Sequence, residues 1–427
     1  MRQMKPSGIE WVGDIPMGWE VKPLKAILIQ RTEKNYPIKT NYILSLTIDK
    51  GVIPYCEKLG GGNKAKEDLS QYHLAYPNDI VLNSMNIISG AVGLSKYFGA
   101  VSPVYYTLFS KHTGISTSYY NNLFQTKEFQ DSLLGFGNGI MVKKSESSGK
   151  FNTVRLRIPI SKLNIILLPN PKGKEQKAIA CYLDSKCNLI NNIIEKQKTV
   201  IEKLQSYKQS LITEVVTKGL NPNVKMKTSG IEWIGDIPEG WEVRKLKYEF
   251  RNLDMLRQPI SSENRTSGEN MYDYYGASGV IDKVSDYIFD EPLILIGEDG
   301  ANLLLRNLPL IYVATGKYWV NNHAHILKPK AHNCLSYMAY QLEQVDLGIY
   351  LSGSTQPKLT QDNLSIIPVV VPTLDEQLAI ADYLDKKCTV IDNVINRKQK
   401  LIEKLADYKK SLIYECVTGK KEVAAND

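Results

Sequence analysis

The sequence predicts an α+β protein in which two globular domains are joined by two long helices forming an antiparallel coiled coil, the whole arranged as an internal pseudo-two-fold repeat. Three observations predict it. One helix-forming stretch of 43 residues occurs twice, a tryptophan-containing stretch of 15 residues occurs twice, and the segments between them are unalike and carry short strand signals.

The helical stretch runs from Glu175 to Thr217, EQKAIACYLDSKCNLINNIIEKQKTVIEKLQSYKQSLITEVVT, and returns from Glu376 to Thr418 at an offset of 201, with 25 of 43 positions identical. Neither copy contains Gly or Pro, and helix formers dominate both. Steps of four and three from Leu183 pass through Cys187, Ile190, Ile194, Gln197, Ile201, Leu204, Lys208, Leu211 and Val215. The second copy gives Leu384, Cys388, Ile391, Ile395, Lys398, Ile402, Leu405, Lys409, Leu412 and Cys416. This is the 3.5-residue seam of a supercoiled pair, interrupted in each copy at Gln197/Lys398 and Lys208/Lys409, where polar residues restrict register. Thr373 with Glu376 forms a capping box; Lys172 stands at the matching place in the first copy. Gly219 and Gly419 supply the stop signals. At ~1.5 Å per residue each helix is roughly 65 Å long. A helix of that length with a bare apolar stripe needs a partner, most simply its own repeat. A second stripe, Ile193, Val200 and Tyr207, recurs as Val394, Leu401 and Tyr408. A two-helix seam does not require it, so it predicts an interface for helices of another chain.

The tryptophan motif SGIEWVGDIPMGWEV (Ser7 to Val21) returns as SGIEWIGDIPEGWEV (Ser229 to Val243), 13 of 15 positions identical. Its Gly-Asp-Ile-Pro turn predicts an extended segment whose Trp pair packs on the domain that follows. In the unique segments, NYILSLTI, NDIVLNSM and LNIILL read as strands in the first, and LILIG, LIYVAT and IIPVVV in the second. Tyr119 to Leu134 reads as one short helix. The predicted domains are 1–174, with the first motif; the helix 175–220; 221–375, with the second motif; the helix 376–420; and a tail, 421–427. If the helices pair and each domain has nearby ends, the second helix runs back along the first, as a spacer carrying two different heads.

Bulk properties narrow the classes. A chain of 427 residues accommodates two or three domains, and 43% hydrophobic residues suits a globular protein. No apolar run approaches ~18 residues and MRQMKPSGIEW lacks an apolar signal core, so a cytoplasmic protein without membrane contact is expected. Net charge +8 is compatible with a polyanionic partner. Cys56, Cys181, Cys187, Cys334, Cys388 and Cys416 form no CxxC and no metal spacing, which predicts buried reduced thiols.

Together, the repeated SGIEW-GDIP-GWEV motif, the two-copy EQ-AIA-YLD helix with its -EKL--YK-SLI-E- continuation, and their alternation with variable segments resemble the specificity subunit of type I restriction-modification systems. The resemblance covers the whole chain. It implies that the variable segments are target recognition domains, each reading half of a bipartite double-stranded DNA site. It also implies that the helices set the spacing and hold two DNA methyltransferase subunits, with restriction-translocase subunits joining a larger host-defence complex. S-adenosylmethionine, ATP and Mg would then belong to those partners, with no cofactor in this chain.

In that family the second recognition domain often ends in a Gly-Ser-x-Gln-x-Lys-Leu run, here GSTQPKL, Gly353 to Leu359. At the 201 offset, Gln356 and Lys358 fall on Arg155 and Arg157, and residues i and i+2 of a strand share a face. Arg and Gln make bidentate bonds to G and A in the major groove, and Lys suits phosphate or G. Lys58, Lys64 and Lys66 flank a Gly-rich loop suited to a phosphate backbone; Asn83, Ser84 and Asn86 follow a strand as a candidate base-edge reader; Lys143 and Lys144 lie in MVKKSESSGK, with Lys150. Lys317, Tyr318, Trp319, Asn321, Asn322 and His323 combine basic, aromatic and amide groups. His323 and His325 share a strand face without a third ligand, so no metal site is expected.

Catalytic motifs are lacking. There is no Asn/Asp-Pro-Pro-aromatic motif, GFGNG follows no clear strand, SSGK lacks the upstream Gly of a phosphate loop, and Glu298 and Asp299 read as turn acids. A non-catalytic subunit is expected. The alternatives are a protein-only adaptor and a stand-alone DNA-modifying enzyme.

Overall fold

The computed structural model describes residues 2–58, 65–137, 156–261, 263, 265, 271–306, 308–353 and 356–423. The chain forms two compact units: unit 1 comprises 1–197 and 400–427, unit 2 comprises 198–399. The two repeated stretches are unbroken helices, Gly173–Lys218 and Leu374–Val417, and each contributes to both units.

Within unit 1 the last turns of the second long helix pack on the first turns of the first, placing Leu412, Cys416 and Val417 in one core with Leu183 and Ile190. Within unit 2 the roles exchange, and Leu211 and Val215 share a core with Leu384, Cys388 and Ile391. The helices are therefore antiparallel in both. Two polar seam positions find partners on the opposite helix. In unit 2 the Lys208 ammonium sits 2.7 Å from the Asp392 carboxylate, and in unit 1 Lys409 donates to Asn191 Oδ1 at 2.8 Å. Asn191 and Asp392 are themselves related by the 201 offset, so the same cross-helix bond is made twice.

The tryptophan motifs explain the helix ends. Each opens with an antiparallel hairpin, Met4–Pro6 with Asp14–Pro16 in unit 1 and Met226–Thr228 with Asp236–Pro238 in unit 2. The second Trp of each motif is buried. Trp19 Nε1 donates to Glu175 at 3.0 Å, and Trp241 Nε1 donates to Glu376 at 3.1 Å, each in the first turn of a long helix. The same rings face the glycine that ends the other helix: a Cβ on Gly219 would lie 3.1 Å from Trp241, and one on Gly419 would lie 3.0 Å from Trp19. Both glycines have positive φ, +77° and +74°, where a side chain is also strained. The glutamine after each glutamate is fully buried. Gln176 accepts from Ser116 N and donates to Pro171 O, while Gln377 accepts from Cys334 N and donates to Pro372 O. Thr373 and Glu376 form the capping box, with backbone bonds of 3.2 and 3.4 Å. Burial opposes the Glu376 charge, yet the bonds from Thr373 and Trp241 hold its pKa below the ordinary value.

Both units share a framework that their sequences conceal. Unit 1 has a four-stranded antiparallel sheet in the spatial order Ile29–Arg31, Tyr105–Phe109, Ile80–Asn83, Val92–Leu94. Unit 2 repeats that connectivity with Phe250–Asn252, Ala324–Pro329, Leu293–Gly297 and Ile311–Ala314. In each, the strand after the tryptophan motif pairs with the strand before the long helix. A buried tyrosine then caps the end of the other helix: Tyr119 Oη donates to Val417 O at 2.6 Å, and Tyr337 Oη donates to Val216 O at 3.2 Å. The units differ in what is added. Unit 1 carries two short antiparallel pairs, Leu44–Thr47 with Gly51–Pro54 and His73–Ala75 with Gly99–Val101. Unit 2 carries a second four-stranded sheet in which Tyr272–Gly276 runs parallel to Lys317–Val320.

Several expectations need correction. The single helix expected over Tyr119 to Leu134 is two helices, Thr117–Phe124 and Lys127–Ser132, because the Thr126 side chain accepts from Phe129 N and starts a new helix. The front of LNIILL belongs to the helix Ile160–Asn164, and only Leu167–Asn170 is strand; IIPVVV likewise becomes strand at Pro368. Cys388 and Cys416 are buried and Cys187 and Cys334 partly so, but Cys56 and Cys181 are exposed. Cys181 lies off the seam, where the other copy has Asp382, and Cys56 sits in a surface turn.

Replacing Trp241 by Phe keeps an aromatic side chain but removes the bond to Glu376 together with the five-membered ring of the buried indole. A charge-assisted bond of this kind contributes about 1.5–3 kcal/mol. The variant is expected to lose at least that much unfolding free energy, read as a lower urea midpoint, and Trp19→Phe to behave alike; wild-type midpoints for both would reject the role given to these bonds.

Candidate nucleic-acid interface

The loop that leaves the second framework strand is tied in the same way in both units. In unit 1, Ser84 N donates to Val104 O at 3.3 Å and Ser84 O accepts from Ile158 N at 2.9 Å. In unit 2, Glu298 N donates to His323 O at 2.9 Å and Glu298 O accepts from Leu359 N at 2.8 Å. Arg157 and Lys358, each one residue before the donor, are thus structurally equivalent, and both are exposed.

Unit 2 adds a cluster of charges beneath this junction. The Glu298 side chain is nearly buried and accepts from Arg257 Nη1 and from Lys358 Nζ, the latter at 3.0 Å. Arg257 also donates to the carbonyls of Asp254 and Ala324, each at 3.0 Å. Asp254 is buried; it accepts from Ile326 N at 2.8 Å and lies 2.6 Å from His325 Nδ1. The other ring nitrogen of buried His325 lies 2.8 Å from Leu359 O, so both nitrogens face acceptors. Burial pushes the carboxyls of Asp254 and Glu298 upward, but bonds from His325 to the first and from Arg257 and Lys358 to the second win, leaving both below the ordinary range. At the surface, His323 Nδ1 sits 2.7 Å from Asp299 Oδ2.

The structure therefore joins two separately chosen stretches, His323 and Lys358, through Glu298 and Asp299, which sequence patterning had assigned to an ordinary turn. Gln356 is exposed at a bend and only Lys358 lies in the strand Lys358–Leu359, so the two do not form the strand face expected of them. Asn321 is buried and accepts from His323 N at 2.8 Å, which makes it a turn-former and removes it from the surface. Ser84 is buried, donating to Val104 O at 2.8 Å. Tyr318 is buried in the core, whereas Lys317 and Trp319 alternate to the opposite face of their strand. Lys317 lies 4.5 Å from the ring of Tyr287, which in turn packs edge-on with Tyr272. Trp319 Nε1 donates to Gln258 O, and Asn322 is exposed.

In unit 1, Asn83 accepts from Met85 N at 3.0 Å and shapes the loop in which Asn86 is exposed. Arg157 lines a recess of about 460 Å³ with Tyr106, Pro159, Ile160 and Ser161. Lys66 is exposed, and the Lys58 ammonium lies 5.8 Å from the Tyr55 ring. Lys64, Lys143, Lys144, Lys150 and Arg155 lie outside the described residues. Among the described residues there is no His/Cys/Asp/Glu group that could hold a metal ion, and no helix long and apolar enough to cross a membrane.

Residues 238–404 match the family described as the type I restriction modification DNA specificity domain. The protein named as the MjaX type I restriction enzyme specificity subunit of Methanocaldococcus jannaschii is 26% identical over 96% of both chains, and the MjaVIII specificity subunit of the same organism is 29% identical over 74% of this chain and 76% of its own. Among solved structures, a chain from work on assembly and conformational transition of the type I R-M system superposes with a TM-score of 0.71 at 13% identity, covering 95% of this chain and 99% of that one. The HsdS subunit from Thermoanaerobacter tengcongensis gives 0.52 at 14% identity, over 95% and 98%. With the duplicated motifs and the paired long helices, these likenesses define the class the chain is similar to, the specificity subunits of type I restriction-modification systems.

The pKa directions fix a sign for acid stability. Carboxylates held below their unfolded values, about 3.9 for Asp and about 4.3 for Glu, stabilise the fold above those values, and that contribution is lost as pH falls through the folded ones. Asp254→Asn should lower the urea midpoint at about pH 6 and shrink the further loss on going to about pH 3. An identical acid response in wild type and variant would show that Asp254 carries no such linkage.

Proposed function

We propose that this chain is the non-catalytic DNA-recognition subunit of a type I restriction-modification complex, with each unit reading one half of a bipartite duplex site. The observation that carries this reading is the repeated junction: identical backbone bonds present Arg157 in one unit and Lys358 in the other on different surroundings. One frame bearing two unlike sets of polar side chains suits two half-sites of different sequence. Arg157 with Asn86 in unit 1, and Lys358, His323 and Gln356 in unit 2, are the proposed base-edge readers. Lys58, Lys66 and Lys317 are placed on phosphates, where they fix position without reading sequence. Trp319 and Asn322 would lie along the same duplex surface.

The paired long helices set the distance between half-sites and receive two methyltransferase subunits, with restriction-translocase subunits joining them. Supporting this, Val200, Tyr207, Leu401 and Tyr408 stand exposed on the helices, with Ile193 and Val394 half-buried beside them. S-adenosylmethionine, ATP and Mg are assigned to those partners.

Exchanging 22–174 for the matching segment of a relative, then mapping methylated sites genome-wide in the assembled complex, should change one half of the site and spare the other. If both halves change together, or neither does, one-unit-one-half-site recognition is wrong. A protein-only adaptor is separated by duplex binding, since phosphate contacts make affinity fall steeply with salt.

A further inference from the structure

The charge cluster of unit 2 reaches the surface at a lysine. Two carboxylates, Asp254 and Glu298, face Arg257 and a histidine whose two nitrogens both meet acceptors. Lys358, whose side chain is about half exposed at 52%, carries this cluster to the surface. The backbone on either side of Lys358 is also fixed. Leu359 N donates to Glu298 O and Leu359 O meets His325 Nε2, both at 2.8 Å; Gly300 N donates to Pro357 O at 3.2 Å; and Glu298 takes the ammonium itself. A surface lysine ordinarily loses the freedom of its whole stem when it binds. Here the stem is restricted beforehand and one N–H is already engaged, leaving two to face outward.

Unit 1 builds the same junction without this device. Its strand-end residue is Ser84, whose hydroxyl turns inward to Val104 O. Among the described residues Arg157 therefore meets no carboxylate at the place where Lys358 meets Glu298. The carboxylate is thus not needed to form the junction, which leaves its placement under Lys358 to be explained.

We propose that Glu298, held by Arg257 and backed by the Asp254–His325 pair, is a positioning residue that aims Lys358 at one base pair of one half-site. The inference rests on the reading of the chain as a DNA-recognition subunit. A lysine free to swing can satisfy phosphate or several acceptors, whereas one pinned at its ammonium discriminates between bases at a single step.

The test uses the full chain co-expressed with its methyltransferase partner, mapping methylated sites for wild type, Lys358→Ala and Glu298→Gln. Both variants should relax base choice at the same single position by about tenfold, with the other half-site and the spacing unchanged. Wild-type preference in Glu298→Gln at the position that Lys358→Ala alters would overturn the positioning role and leave DNA recognition standing. No sequence preference in the wild-type complex would instead reject recognition itself. If Lys358→Ala alters no position, Lys358 is not a reader and the inference falls with it. Should Glu298→Gln abolish methylation, Glu298→Asp decides: a changed preference at that one position supports aiming, and an unchanged one refutes it.

Discussion

Everything in this fold depends on how the ends of the two long helices are held. In each unit one buried tryptophan bonds to the glutamate that opens one helix and packs its ring on the glycine that closes the other. A coiled-coil seam by itself tolerates slippage by whole heptads, because apolar side chains are interchangeable along it. An indole N–H with a single acceptor, and a ring that only glycine can approach, admit one register. The cross-helix bonds Lys208–Asp392 and Lys409–Asn191 act in the same sense farther along the seam. Buried Gln176 and Gln377 extend the constraint by tying each helix start to the loops of its own unit.

This arrangement accounts for the pattern of repetition in the chain. The residues that recur, the motif tryptophans, the Glu-Gln pair, the seam and the terminal glycines, are those that touch both a helix end and a unit. The framework strands recur in topology but not in sequence, because a buried antiparallel strand asks only for apolar, β-forming side chains and accepts many combinations. The added sheets recur in neither.

The long helices were legible because their signal is periodic over more than forty residues and appears twice; so were the capping box and the two glycine stops. The shared framework was not, since strands of three to six residues carry too little pattern to reveal that unlike sequences have equal connectivity. At the candidate surface, sequence placed Lys358 and His323 but could not join them, because the link runs through Glu298 and Asp299, whose acidic pair beside a glycine looks like any turn. Arg257 carried no local signal; its role comes from contacts spanning 41 residues or more to Glu298, Asn322 and Ala324. Asn321 failed as a surface residue for the opposite reason: asparagine serves turns and base edges equally well, and here the turn claimed it.

The junction after the second framework strand is secured by main-chain groups, which are the same whatever residue occupies the position. In unit 1 the Arg157 side chain can consequently be exchanged with little harm to folding. In unit 2 the lysine at that place shares a nearly buried acid with Arg257, and replacing it removes one of that acid's two cationic partners. The Arg157 position is therefore open to single substitutions, while a change at Lys358 also disturbs the acid beneath it, and these two equivalent positions of one molecule should diversify at different rates.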